Sequence, residues 1–125
     1  MSLLAYSFNN PETFIKSKNK LIIMVLLTKK EIIQKLEQNK DKIKSFGVKK
    51  IILFGSYASG KAKSESDLDF LVEFEKNRGL FDDYIKLLHL LEDLFKKEVD
   101  LGEEHLLREE LKPYILGGKK IEARI

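Results

Sequence analysis

The segment Ile51–Glu73, IILFGSYASGKAKSESDLDFLVE, decides how the rest of this chain is read. It begins inside Lys49–Phe54, a short β-branched apolar run stopped by Gly55, which is the pattern of a buried strand. It ends inside a second such run, Leu68–Phe74, with Asn77 and Gly79 as punctuation beyond it. Between the two lie a Gly55-Ser56 turn, ten further residues, and Asp67-Leu68-Asp69. Strand alternation puts Asp67 and Asp69 on one face and Leu68 and Phe70 on the other. Two carboxylates about 7 Å apart along a strand repel each other unless a cation lies between them. A divalent ion with oxygen ligands meets that need, and Mg2+ is commonly held by one or two carboxylates together with phosphates. The Gly55-Ser56 turn supplies the complementary half. Glycine lets backbone approach a phosphate, a turn opening a short helical segment points N–H groups at an anion, and Ser56 adds a hydroxyl. Lys61 and Lys63 stand in the loop, able to neutralise outer phosphates. Together these parts describe a site for a nucleoside triphosphate bound with metal.

Working outward, Thr28 and Glu31 form a capping box, and Ile32, Ile33, Leu36, Ile43 and Phe46 recur near helical spacing until Gly47. One helix is expected there. Leu80–Phe95 places Leu80, Tyr84, Leu87, Leu88, Leu91 and Phe95 on one face and is an amphipathic helix. His89 falls on its polar side. A third strand, Glu98–Leu101, follows almost at once, with Asp100 projecting opposite Val99 and Leu101. If this strand pairs beside the Asp67 strand, three carboxylates converge. Two metal ions about 3.5 to 4 Å apart could then hold the attacking and leaving oxygens of an in-line phosphoryl displacement. Glu104–Leu116 reads as a helix interrupted at Pro113, after which Gly117 and Gly118 turn into a tail. The order helix, strand, strand, helix, strand, helix implies a small α/β (α+β) domain, a mixed sheet covered by helices. Tyr57, beside the turn, has two readings: stacking on a base or packing in the core.

At 125 residues the chain is one domain's worth of protein, and its composition suits a soluble globular fold. Zero cysteines exclude disulfides, thiolate zinc sites and cysteine nucleophiles, and two histidines cannot make a His-rich metal site. Any metal must be held by oxygen. The net charge of +3 divides into +2 for residues 1–27, +7 for 28–63 and −6 for 64–125. Residues 28–125 therefore sum to +1, too little to argue for a polyanionic nucleic-acid partner. The longest apolar run, Leu21–Leu27, is too short to span a membrane, and no cleavage site follows it, so a cytoplasmic protein is expected. Residues 1–23 show no sustained period and read as an N-terminal extension, with the functional domain at 24–125. The rival reading makes Leu21–Leu27 an edge strand.

The Gly55-Ser56 pair, the spacing to Asp67-x-Asp69, and Asp100 on a later strand resemble the signature of the polymerase-beta-like nucleotidyltransferase superfamily. The small size, the capped leading helix and the Leu106–Ile115 region resemble the minimal nucleotidyltransferases that pair with HEPN-domain toxins. The resemblance spans Met24 to about Ile125. It implies a nucleotidyltransferase fold in which Asp67, Asp69 and Asp100 are catalytic and bind two Mg2+ ions. It also implies that Gly55, Ser56 and Lys61 hold the triphosphate of ATP. The family often carries Arg four residues after the opening glycine, where this chain has Ser59; Lys61 or Lys63 is the candidate substitute, although neither occupies the matching position. The activity implied is transfer of AMP to a hydroxyl, a tyrosine of a cognate HEPN toxin, by a chain acting as antitoxin. Two alternatives stand beside it: an antitoxin that silences its toxin by binding alone, and transfer to a small molecule. Too little chain remains for the accessory domains that grip nucleic acid, and an oligomer is compatible with everything above.

Overall fold

The computed structural model describes residues 27–63 and 65–125. The expected extension, residues 1–23, and most of the rival strand Leu21–Leu27 lie outside them. The chain runs through α1 (Lys29–Gln38), α2 (Lys40–Ser45), β1 (Val48–Phe54), α3 (Gly55–Ser59), β2 (Leu68–Phe74), α4 (Phe81–Phe95), β3 (Val99–Glu103), a 3-10 turn (Glu104–Leu106), α5 (Lys112–Leu116) and β4 (Lys120–Glu122). The four strands form one mixed sheet in the order β3-β2-β1-β4. β1 pairs antiparallel with both β2 and β4, whereas β2 and β3 are parallel.

The alternation of each strand divides the sheet into two unlike faces. Ile51 and Leu53 of β1, Leu68, Phe70 and Val72 of β2, and Leu101 of β3 point into the core. There they meet Ile32 and Leu36 of α1, Ile43 of α2, and Leu87, Leu91 and Phe95 of α4. Phe70 and Phe95 pack with ring centroids 6.0 Å apart and planes tilted by 32°. Burying each such side chain stabilises the fold by about 1.5–3 kcal/mol, which is what holds the helices to this face. Asp69, Leu71 and Glu73 of β2 and Asp100 of β3 alternate onto the other face, where Lys50 reaches Glu104 at 3.2 Å and Glu73 at 3.7 Å.

Three local expectations change. The leading helix is two, because Asn39 breaks it: its side-chain amide donates to the Lys35 carbonyl at 2.8 Å and its own N–H turns back on Lys35 and Leu36. An Asn side chain competing for backbone carbonyls ends a helix in this way. The capping box at Thr28 and Glu31 is present as expected. Pro113 does not interrupt a helix but opens one, standing in the first turn of α5, where a missing N–H goes unneeded; Glu104–Leu106 is a separate 3-10 turn. The tail contains β4, whose Ile121 pairs with Leu53 and whose following residue Ala123 is buried. Three residues with two charges give no readable strand pattern.

Candidate active site

The parallel pairing of β2 with β3 builds the site. Its register places Leu68 beside Val99, Asp69 beside Asp100 and Phe70 beside Leu101. Neighbouring strands lie about 4.8 Å apart, and paired residues project from the same face. Asp69 and Asp100 therefore stand side by side on the face opposite α1, α2 and α4. Asp67 precedes β2 and is exposed; the chain is tied at this point by the Leu68 N–H, which donates to the Glu98 carbonyl at 3.2 Å.

The Gly55-Ser56 turn approaches the same carboxylate from β1. Phe54 pairs with Asp69, and the chain then turns at Gly55 (φ 75°) into α3. A Cβ at Gly55 would lie 2.2 Å from Asp69 Oδ2, a separation no real side chain tolerates. The side chain that glycine lacks is the space the carboxylate fills. Both the left-handed φ and the close approach require glycine here.

The electrostatics follow from that crowding. The Asp69 carboxyl is pushed up to about 6, first by burial and then by the negative charges of Asp100 and Asp67. The two neighbouring charges thus disfavour ionisation of Asp69, the situation a cation reverses. Among the described residues no three Asp, Glu or His side chains are arranged as a finished metal cage. The donor chemistry is nonetheless that of a hard cation: oxygen only, with carboxylates on two adjacent strands.

The other candidates fall in different places. Ser56 opens α3 beside Gly55. Lys61 follows the left-handed Gly60 at the end of that helix, where its N–H donates to the Ser56 carbonyl at 2.9 Å and its side chain is exposed. Ser59 is turned inward on its own helix, donating from Oγ to the Ser56 carbonyl at 3.1 Å. Tyr57 is 3% exposed and belongs to the core, so stacking on a base is excluded; its hydroxyl has no hydrogen-bond partner among the described residues. His89 and His105 are exposed.

Two residues near the aspartates carry no signal in the sequence. Tyr84 of α4 donates its hydroxyl to the carbonyl of Leu101, the residue after Asp100. Burial, with Asp100 and Glu103 nearby, raises its phenol above the ordinary value. Lys97 holds its ammonium 5.8 Å from the centre of the Tyr57 ring. Burial lowers its pKa, opposed by the charges of Asp67 and Glu65. Both act through contacts between residues far apart in the chain, Tyr84 with Leu101 and Lys97 with Tyr57.

A glycine turn set against paired aspartates on a mixed sheet defines a nucleotidyl-transfer fold, and the chain belongs to the nucleotidyltransferase domain family, whose model matches residues 29–124. Among relatives, the protein adenylyltransferase MntA of Thermococcus cleftensis is 43% identical over 79 residues, 62% of this chain and 79% of its own. A solved structure of a provisionally assigned minimal nucleotidyltransferase is 33% identical, with a TM-score of 0.56 over 71% of this chain and 93% of that one. The fold is also that of a crystallised toxin-antitoxin complex with AMP-PNP, 21% identical at a TM-score of 0.55, covering 69% of this chain and 70% of that one. Among the described residues no helix is long and apolar enough to cross a membrane.

Proposed function

We propose that residues 24–125 form a protein adenylyltransferase that moves AMP from ATP to a tyrosine hydroxyl of a HEPN-class toxin and so acts as its antitoxin. The observation carrying this reading is the packing of Asp69 against Gly55 with Asp100 at its side, which brings a phosphate-binding turn and two carboxylates to one point. The similarity to an adenylyltransferase supports the donor and the kind of acceptor. The acceptor oxygen forms a bond to the α-phosphorus as the bond from that phosphorus to the bridging oxygen breaks; pyrophosphate leaves with the electron pair. Gly55 and Ser56 hold the triphosphate, with Lys61 at its outer end. Asp100 orients the acceptor hydroxyl and takes its proton. Asp67 and Asp69 would hold the two Mg2+ ions, and Asp100 would help to hold the catalytic one. When bound, Mg2+ neutralises the triphosphate and the departing charge; because it usually keeps waters and phosphate oxygens as ligands, a closed protein cage is not required.

A second reading, an antitoxin that silences by occupancy alone, draws on Ser59. Its hydroxyl is committed to Ser56, so the position where the family often has Arg contributes no phosphate donor. Substituting Asp67→Asn and Asp69→Asn separates the two. Under the catalytic reading both variants still bind the toxin but fail to neutralise it. Neutralisation that survives both substitutions, with binding unchanged, would establish occupancy instead.

A further inference from the structure

We infer that Lys97 is a positioning residue for the metal-binding aspartates, fastening the segment that carries Asp67 to the α3 turn. The inference rests on the nucleotidyltransferase reading above. Lys96 ends α4 in the left-handed region (φ 52°), and this sharp reversal delivers Lys97 just before β3. Its ammonium lies over the face of Tyr57, 5.8 Å from the ring centre, and Tyr57 is the residue after Ser56. The same ammonium is within Coulombic range of Asp67 and of Glu65, both on the connection between α3 and β2. One side chain thus lies over the ring that follows the phosphate turn and exerts its charge on Glu65 and on the candidate ligand Asp67, while the next residue, Glu98, accepts the Leu68 N–H at 3.2 Å and so holds the Asp67 segment alongside. Ser66 N–H donates to the Lys63 carbonyl and Lys63 N–H to Ser66 Oγ, both contacts internal to the loop, while Lys61 N–H holds its start and Leu68 N–H its end. Tyr57 suits the role because it offers a ring face: it is buried, so its edge is fixed by the core while its face meets a cation.

Mere electrostatics and positioning make opposite predictions. A cation that only competes with metal for Asp67 lowers metal affinity, so removing it should tighten Mg2+ binding. A cation that orders the ligand should, on removal, weaken it. The test compares Lys97→Met, which keeps the stem and loses the charge, with Lys97→Arg, which keeps a cation able to lie on a ring. Hydrogen exchange of residues 61–67 in the full chain, without ligand, is expected to quicken in Lys97→Met while amides of α4 stay protected as in the parent. The Mg2+ concentration giving half-maximal binding of AMP-PNP is expected to rise about tenfold, the loss usual when an outer-shell partner of a metal ligand is removed. Lys97→Arg should restore both. Unchanged exchange in 61–67, or an Mg2+ requirement that stays level or falls, overturns the inference. Hydrogen exchange needs no catalysis, so it decides the matter even if the parent chain transfers no AMP.

Discussion

Gly55→Ala places a methyl group where the Asp69 carboxylate already lies. The magnitude has two separable parts. At φ 75° an L side chain costs about 1–2 kcal/mol from its own backbone. The added Cβ would also sit 2.2 Å from Asp69 Oδ2, so the carboxylate must retreat. Ordinary contact begins near 3.4 Å, a displacement of about 1 Å, and misplacing a reacting group that far costs about a hundredfold in rate. Gly60 supplies the control. Its φ of 79° carries the same backbone cost, but no atom lies within 4 Å of a Cβ built there. Gly60→Ala should therefore lose about 1–2 kcal/mol and keep its activity. Gly55→Ala should lose more stability than that and about a hundredfold in AMP transfer. Chemical denaturation and transfer of labelled AMP under saturating Mg2+ measure the two. In the double variant Gly55→Ala with Asp69→Ala, the stability losses should be less than additive, since the clash is gone. Equal activity in the two glycine variants would refute the packing argument.

Two further predictions concern the same neighbourhood. Because the Asp69 carboxyl is raised, the ligand-free native state binds its proton more tightly than the unfolded chain, and stability falls as pH rises from about 4 to about 6. Asp69→Asn removes that penalty and should stabilise the ligand-free protein at pH 7.5 by on the order of 1 kcal/mol, a figure reduced for solvent screening. Melting curves should show the gain vanish near pH 3.5; a shift equal at both pH values would contradict the coupling. Tyr57→Phe deletes a buried hydroxyl that lacks a partner among the described residues, and stability should hold or rise by about 1 kcal/mol. A loss greater than about 1 kcal/mol in denaturant titration would mean that the hydroxyl has a role the fold does not reveal.

The elements visible in the sequence were those whose side chains carry a period. Lys49–Phe54 and Leu68–Phe74 read as strands because β-branched and aromatic residues fill them, and Leu80–Phe95 as a helix because its leucines share a face. β4 was hidden because its pairing with β1, and not its three residues, makes it a strand. Asn39 fits a helical period and yet ends a helix, a choice made by one side-chain amide. The aspartates and the Gly55-Ser56 turn were legible from spacing. That Asp69 faces Asp100 was not, since parallel pairing joins residues thirty-one positions apart and no local pattern encodes it. Lys97 has no local pattern either, since its contact with Tyr57 spans forty positions, whereas Lys61 and Lys63 lie within the motif.

AMP transfer at Asp67, Asp69 and Asp100 can be measured directly. The chain is incubated with Mg2+, ATP labelled in the α-phosphate and the proposed acceptor, a HEPN-class toxin, and label is sought on the toxin by peptide mass spectrometry. AMP on a toxin tyrosine, lost when Asp67 and Asp69 are changed to Asn, is the predicted result. A toxin that is silenced without acquiring label, with ATP unconsumed, would contradict it.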